Sequence, residues 1–244
     1  MWSILRKEIN GFFSTLTGYV VVGVFLTILG LIMWVFPDYS ILDYNYASLD
    51  QLFTVAPIIF LFLIPAVCMR SFSEEKQSGT METLFTKPLT EWQIIMGKYL
   101  GALFLVFVAI LPTIIYYYTI WQLGSPQGNI DRGEVFGSYI GLFFLAGIFI
   151  AISLYASVLS SNQIVAFLIG ALLCFLVYWG FYFISTLPAF FGGVDSILQK
   201  IGIDYHYRSI SNGVIDTRDV IYFLSAIFFF LYLTHKYLRE NRNQ

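Results

Sequence analysis

The sequence predicts an all-α polytopic membrane protein: an N-terminal interfacial helix followed by six transmembrane helices. Three observations carry that expectation. First, only 11% of the 244 residues are charged, 58% are hydrophobic and mean hydropathy is +0.76; a soluble globular domain carries about 25% charged residues. Second, five uncharged apolar runs, 19–36, 52–69, 99–121, 135–159 and 164–187, reach the roughly 17 residues that cross a hydrocarbon layer. A sixth span, 220–237, has a shorter apolar stretch, Val220–Thr234, and reaches full length with Asp219 at one interface and His235 and a snorkelling Lys236 at the other. Third, the cations are unevenly placed. With six spans both termini share one side, which holds Arg6, Lys7, Arg70, Lys76, Lys87, Lys98, Lys236, Arg239 and Arg242, nine of the 13 Lys and Arg. The opposite side holds Arg132, Lys200, Arg208 and Arg218, so the positive-inside rule makes the terminal side cytoplasmic.

The chain length suits one membrane domain over 1–244. A net charge of -2 says nothing about nucleic acid, but there is no basic tract of the kind such binding uses, so no nucleic-acid partner is expected and the bilayer is the surrounding medium. Cys68 and Cys174 lie inside apolar runs and read as plain thiols, neither disulfide nor metal ligands. The first run ends at "VFPDYS" without a small-residue cleavage site, so the first span is expected to be retained.

In 1–18, Trp2, Leu5, Ile9, Phe12, Phe13 and Leu16 recur at helical spacing, with Arg6, Lys7 and Glu8 mostly off that stripe. This is the pattern of a helix lying in the membrane interface, or of a frayed start to a longer helix. The loop 37–51 carries Asp38, Asp43 and Asp50 and no cation, which agrees with an outer position. Residues 160–163 form a tight inner turn. The segment 188–219 is a long outer connection with glycines at 192 and 193, in which "SILQKIG" suits one short helix. Asp216 then suits the N-cap of the sixth span.

Several chemistries are absent. The five long spans hold no Asp, Glu, Lys, Arg or His, so coupling to a proton gradient through a buried carboxylate has no residue to use. There is no HExxH motif, and His206 and His235 sit outside the core spans. The Glu74–Glu75 pair lacks the following arginine of a Glu-Glu-x-x-x-Arg protease motif, because Gly79 stands there. Gly97-Lys98 does not end a phosphate loop, since Trp92 occupies the first glycine position and Tyr99 the Ser/Thr position. No catalytic, cofactor-binding or metal site is expected in this chain. Ser153 and Ser157, one turn apart, read either as helix packing or as the lining of a path through the bundle. Gly97 with Gly101, and Gly137 with Gly141, have the small-xxx-small spacing that lets helices approach closely.

The segment 70–98 concentrates eight of the 28 charged residues between spans two and three. Gly79 permits a break, Thr80 suits an N-cap, and Glu82 follows in the first turn. Met81, Leu84 and Phe85 share one face at i, i+3 and i+4, Lys87 sits in the last turn, and Pro88 ends the helix. Thr90 to Gln93 then forms a capping box ahead of span three. A short helix of this kind suits a groove on a partner protein or the inner headgroup layer; periodicity leaves both open.

The stretch "FSEEKQSGTMETLFTKPLTEWQIIMGK" resembles the signature of ABC-2-type ABC transporter permeases, through Glu75, Lys76, Gly79, Thr80, Glu82, Leu84, Pro88, Gly97 and Lys98. The N-terminal helix is similar to that family's elbow helix and the six spans to its membrane domain, of type V exporter architecture. In length and in "YHYRSISNGVIDTRDVIYFLS" the chain is similar to gliding-motility-associated permeases of the family. The resemblance implies a permease subunit of an ATP-driven exporter in a bacterial inner membrane, with both termini cytoplasmic. Residues 80–87 would be the coupling helix, docking on a separate ABC ATP-binding subunit that holds ATP–Mg, with Met81, Leu84 and Phe85 as the contact face and Glu75 and Glu82 as charged anchors. A second permease, a copy or a related chain, would complete the transporter. Apart from the resemblance, a stand-alone ion-gradient transporter or channel is the alternative.

Overall fold

The structure, a computed structural model, describes residues 1–37, 40–41, 47–86, 88–188 and 194–242; of Thr83, Leu84 and Phe85 it describes the backbone alone. Asp38, Asp43, Lys87 and the glycines at 192 and 193, used above, lie outside the described residues. The fold is all-helical, with no strand among the described residues and six helical stretches long and apolar enough to cross a membrane.

Helix α1 (Trp2–Ser14) turns into α2 (Leu16–Trp34) at Thr15, whose extended backbone ends one helix and starts the next. The turn is tight enough that a Cβ on Gly18 would lie 2.6 Å from the Phe12 carbonyl oxygen, which only glycine tolerates. Helix α1 does not float on the surface. It lies against the start of α6 (Glu91–Ile110), with Ile4 buried, while Trp2 and Leu16 remain exposed. The predicted Gly97–Gly101 pair makes this approach possible: a Cβ on Gly97 would meet Ile4 Cγ2 at 2.7 Å, and one on Gly101 would meet Glu8 Cβ at 2.7 Å.

Helix α3 (Asp50–Cys68) runs past Met69 into α4 (Arg70–Gln77), giving one 28-residue stretch, Asp50–Gln77. The stretch after the second apolar run, "SFSEEKQSG", is polar, yet the chain stays helical to Gln77. Gly79 then adopts the left-handed conformation (φ 69°) and starts α5 (Thr80–Phe85). Helix α6 begins with the expected capping box, Thr90 Oγ1 accepting from Gln93 N and the Gln93 side chain accepting from Thr90 N, each at 3.3 Å. Pro112 sits in a 3-10 turn, Leu111–Thr113, that separates α6 from α7 (Ile114–Leu123).

Helix α8 (Arg132–Leu159) is the axis of the bundle, buried over most of its length against α3, α9 and α13. Asp131 caps it by accepting from Gly133 N and Glu134 N, and Asn162 caps α9 (Gln163–Phe175) in the same way. A π-helical turn, Leu176–Gly180, leads into α10 (Phe181–Ser185). The segment expected to carry one short helix carries two, α11 (Val194–Ile201) and α12 (Ile203–Ser211). The second folds back onto α8, burying Ile203, Tyr207 and Ile210, and Tyr207 donates to the Phe53 carbonyl at 2.7 Å. Gly137 and Gly141 receive it: a Cβ on Gly137 would lie 2.9 Å from the Ile210 carbonyl oxygen. Asp216 caps α13 (Thr217–Arg242), accepting from Arg218 N at 2.9 Å. At 26 residues, α13 spans about 39 Å, so the short apolar stretch Val220–Thr234 sits inside a helix of sufficient length.

Candidate coupling site at the terminal end of the bundle

The N-terminal helix, α4, α5, the start of α6 and the end of α13 converge at one end of the bundle. Helix α4 is the arm that carries α5, and three side-chain clusters root it.

The first root is Ser157 on α8. Its hydroxyl accepts from the backbone N–H groups of Phe72 (2.9 Å) and Ser73 (3.2 Å) and donates to the Met69 carbonyl (3.0 Å). These are the backbone groups at the α3–α4 junction, so a side chain from another helix caps α4. The new helix start therefore costs no unpaired donors in a buried place. Ser157→Ala is expected to destabilise the chain by about 1–3 kcal/mol, the penalty for stranding buried amides, and a thermal melt in detergent checks it. The second root is Lys76, whose ammonium donates to the Val158 carbonyl at the end of α8 and lies 4.6 Å over the Tyr237 ring of α13.

The third root is Lys98, only 4% exposed. Its ammonium donates to the Ser71 carbonyl (2.6 Å), Glu75 Oε1 (3.0 Å) and Glu8 Oε1 (3.2 Å), and it lies 5.0 Å from the Phe72 ring centre. An ammonium has three N–H groups and all three are used. The cluster joins α1, α4 and α6 through one buried cation and two part-buried carboxylates. Nearby, Arg242 of α13 bonds Glu91 at 2.5 Å, and Trp92 stacks on His235 with ring centres 4.8 Å apart. These ties also place both termini at this end.

Helix α5 is reversed off the arm by Gly79. Glu82 is exposed in its first turn, and Pro88 is exposed beyond its end.

Residues 43–203 match the family described as ABC-2 family transporter protein. The chain belongs to that family. The match spans more than half of the chain and includes α3 to α6, the arm and the short helix α5. No curated protein matches the chain at a significant level. As an ABC-2 permease with six apolar helices it is a multi-pass membrane component of an ABC transporter, and the family implies an ATP-binding partner.

Within this permease, several sites predicted from sequence occupy other roles than expected. Thr80 is not the N-cap. Gly79 holds that position, and the Thr80 hydroxyl lies 2.9 Å from Ser78 Oγ. Met81 is 8% exposed and packs into the core, so it does not belong to an outward contact face; the side chains of Leu84 and Phe85 lie outside the described residues. Glu75 is not a free anchor, because it is committed to Lys98. Ser153 and Ser157 are 2% and 0% exposed. The Ser153 hydroxyl donates to the Phe149 carbonyl and Ser157 caps α4, so of the two readings the sequence left open both serines take helix packing. Gly97 and Lys98 are brought to the site as a unit, the glycine admitting α1 and the lysine binding it. Three members were missed by sequence reasoning: Glu8, Lys76 in its contact with α8, and Ser157 as a cap. The chain positions of Glu8 and Glu75 relative to Lys98, 90 and 23 residues away, leave no local signal.

Proposed function

We propose that this permease is one half of an ATP-driven exporter in a bacterial inner membrane, with both termini and α5 in the cytoplasm. Helix α5 seats on a separate ABC ATP-binding subunit, which holds ATP–Mg, and this chain binds no cofactor. The observation that carries the reading is the mounting of α5. A six-residue helix with an outward carboxylate stands on an arm bonded to α1, α6, α8 and α13. Force applied to such a helix is delivered to the membrane helices instead of being lost in a loose loop. The bias of Lys and Arg toward this end supports its cytoplasmic placement.

The second permease, a copy or a related chain, pairs along α2 and α9. Both leave apolar side chains exposed, among them Tyr19 and Leu31, which lie off the groove facing α3, and Leu168 and Leu172. The similarity of 205–225 to gliding-motility-associated permeases supports a role in surface movement. Unaltered surface movement after deletion would count against that role.

The test of coupling is Glu82→Arg. The exposed position leaves the fold intact, while co-purification of the ATP-binding subunit falls at least about tenfold, the effect of losing one charge-assisted contact and adding a repulsive one. Undiminished co-purification and transport in this variant would sink the proposal.

A further inference from the structure

A polar cavity of about 420 Å³ opens between α1, the start of α2 and the α3–α4 arm. Lys7, Glu8, Arg70, Glu74, Glu75 and Lys98 contribute its charge, and Phe12, Ala66 and Val67 its apolar part. One atom in its lining is unusual. Glu75 Oε2 is buried and has no hydrogen-bond partner. Lys98 cannot supply one, since its three N–H groups go to Ser71, Glu75 Oε1 and Glu8. Lys7 approaches the other oxygen, Oε1, at 3.6 Å. A buried carboxylate oxygen calls for an N–H or O–H donor. On the same cavity, the exposed Arg70 guanidinium and the Glu74 carboxylate have no hydrogen bond or ion pair among the described residues.

Ala66 also lines a second, apolar groove of about 900 Å³ between α2 and α3, lined by residues such as Val24, Ile28, Phe62 and Leu63. A charged chamber with both signs therefore adjoins a long greasy furrow, at the level where an interfacial helix lies.

We propose that this composite site holds a phospholipid whose headgroup carries a phosphate and a primary amine. The amine donates to Glu74 and, once the Glu75 carboxylate turns toward the cavity, to Glu75 Oε2; the phosphate lies against Arg70 and Lys7, and the acyl chains run along α2 and α3. A quaternary amine has no N–H to give, and a glycerol headgroup brings no cation to the carboxylates, so the site discriminates among headgroups. The inference stands apart from the transport reading, because it concerns only what the chain binds. It gives the elbow helix a lipid-dependent position, since Glu75 also holds Lys98.

The experiment compares lipids retained by the full-length chain, extracted in mild detergent from vesicles with equal phosphatidylethanolamine, phosphatidylcholine and phosphatidylglycerol, by native mass spectrometry. Phosphatidylethanolamine is expected to stay bound at one molecule per chain, with the other two retained at least about tenfold less, the effect of one charge-assisted bond. Arg70→Ala and Val24→Trp, both at exposed positions, are expected to reduce its retention by a similar factor, the first through the headgroup and the second by filling the furrow. Equal retention of the three lipids, or wild-type retention in both variants, overturns the proposal. Free phosphoethanolamine added in place of lipid is expected to bind far more weakly; equal binding overturns a membrane lipid as the occupant.

Discussion

Replacing Lys98 with methionine is expected to destabilise the permease by about 3–5 kcal/mol, the range for removing one partner of a buried ion pair. The side chain of Lys98 is 3% exposed, and those of Glu75 and Glu8 are 15% and 17% exposed. Methionine fills the volume, so the loss comes from charge: two poorly hydrated carboxylates face each other with no cation between them. The Ser71 carbonyl also loses its donor. A thermal or denaturant titration in detergent measures the change. The double variant Lys98→Met with Glu75→Gln is expected to recover part of the loss, because one stranded charge is gone. If the single variant costs less than about 1 kcal/mol, as an exposed pair would, the cluster is not the root of the arm.

Gly97→Leu is expected to expel α1 from its seat. The first carbon of the new side chain would already lie 2.7 Å from Ile4 Cγ2 and 3.4 Å from the Leu5 backbone nitrogen, so the elbow helix must shift. Overpacking of this kind costs about 1–3 kcal/mol, and here it also separates Glu8 from Lys98. The readout is tryptic cleavage after Arg6 and Lys7, which accelerates when α1 lifts away. Gly23→Leu serves as the control, since nothing lies within 4 Å of a Cβ at that position. Equal cleavage of the two variants would show that α1 is not held through Gly97.

Much of this architecture is legible in local chemistry. The Thr90–Gln93 capping box, the Asp216 cap and both glycine pairs follow from rules that act over a few residues, and they hold in the structure. What cannot be read locally depends on distant partners. Residues 70–77 are polar enough to pass for a loop, yet they remain helical because Ser157, 85 positions away, satisfies the amide of Phe72. Met81 shares a helical face with Leu84 and Phe85 in the periodicity, and that pattern cannot say whether the face looks toward a partner or into the chain's own core. Helix α12 likewise reads as an outer connection, since its mix of Asp204, His206 and Arg208 hides Ile203, Tyr207 and Ile210 on the inward stripe.

The continuity of α3 into α4 has a mechanical side. The 28 residues Asp50–Gln77 make a rod about 42 Å long, longer than the roughly 30 Å hydrocarbon layer. Near one tip the Phe53 carbonyl is gripped by Tyr207, and near the other Glu75 is gripped by Lys98. One covalently continuous strut thus has handholds at both faces of the bilayer. A tilt imposed at the end bearing α5 reaches α12 at the far end along one strut, softened at Pro57, Pro65 and the Met69 junction, where Ser157 of α8 holds it.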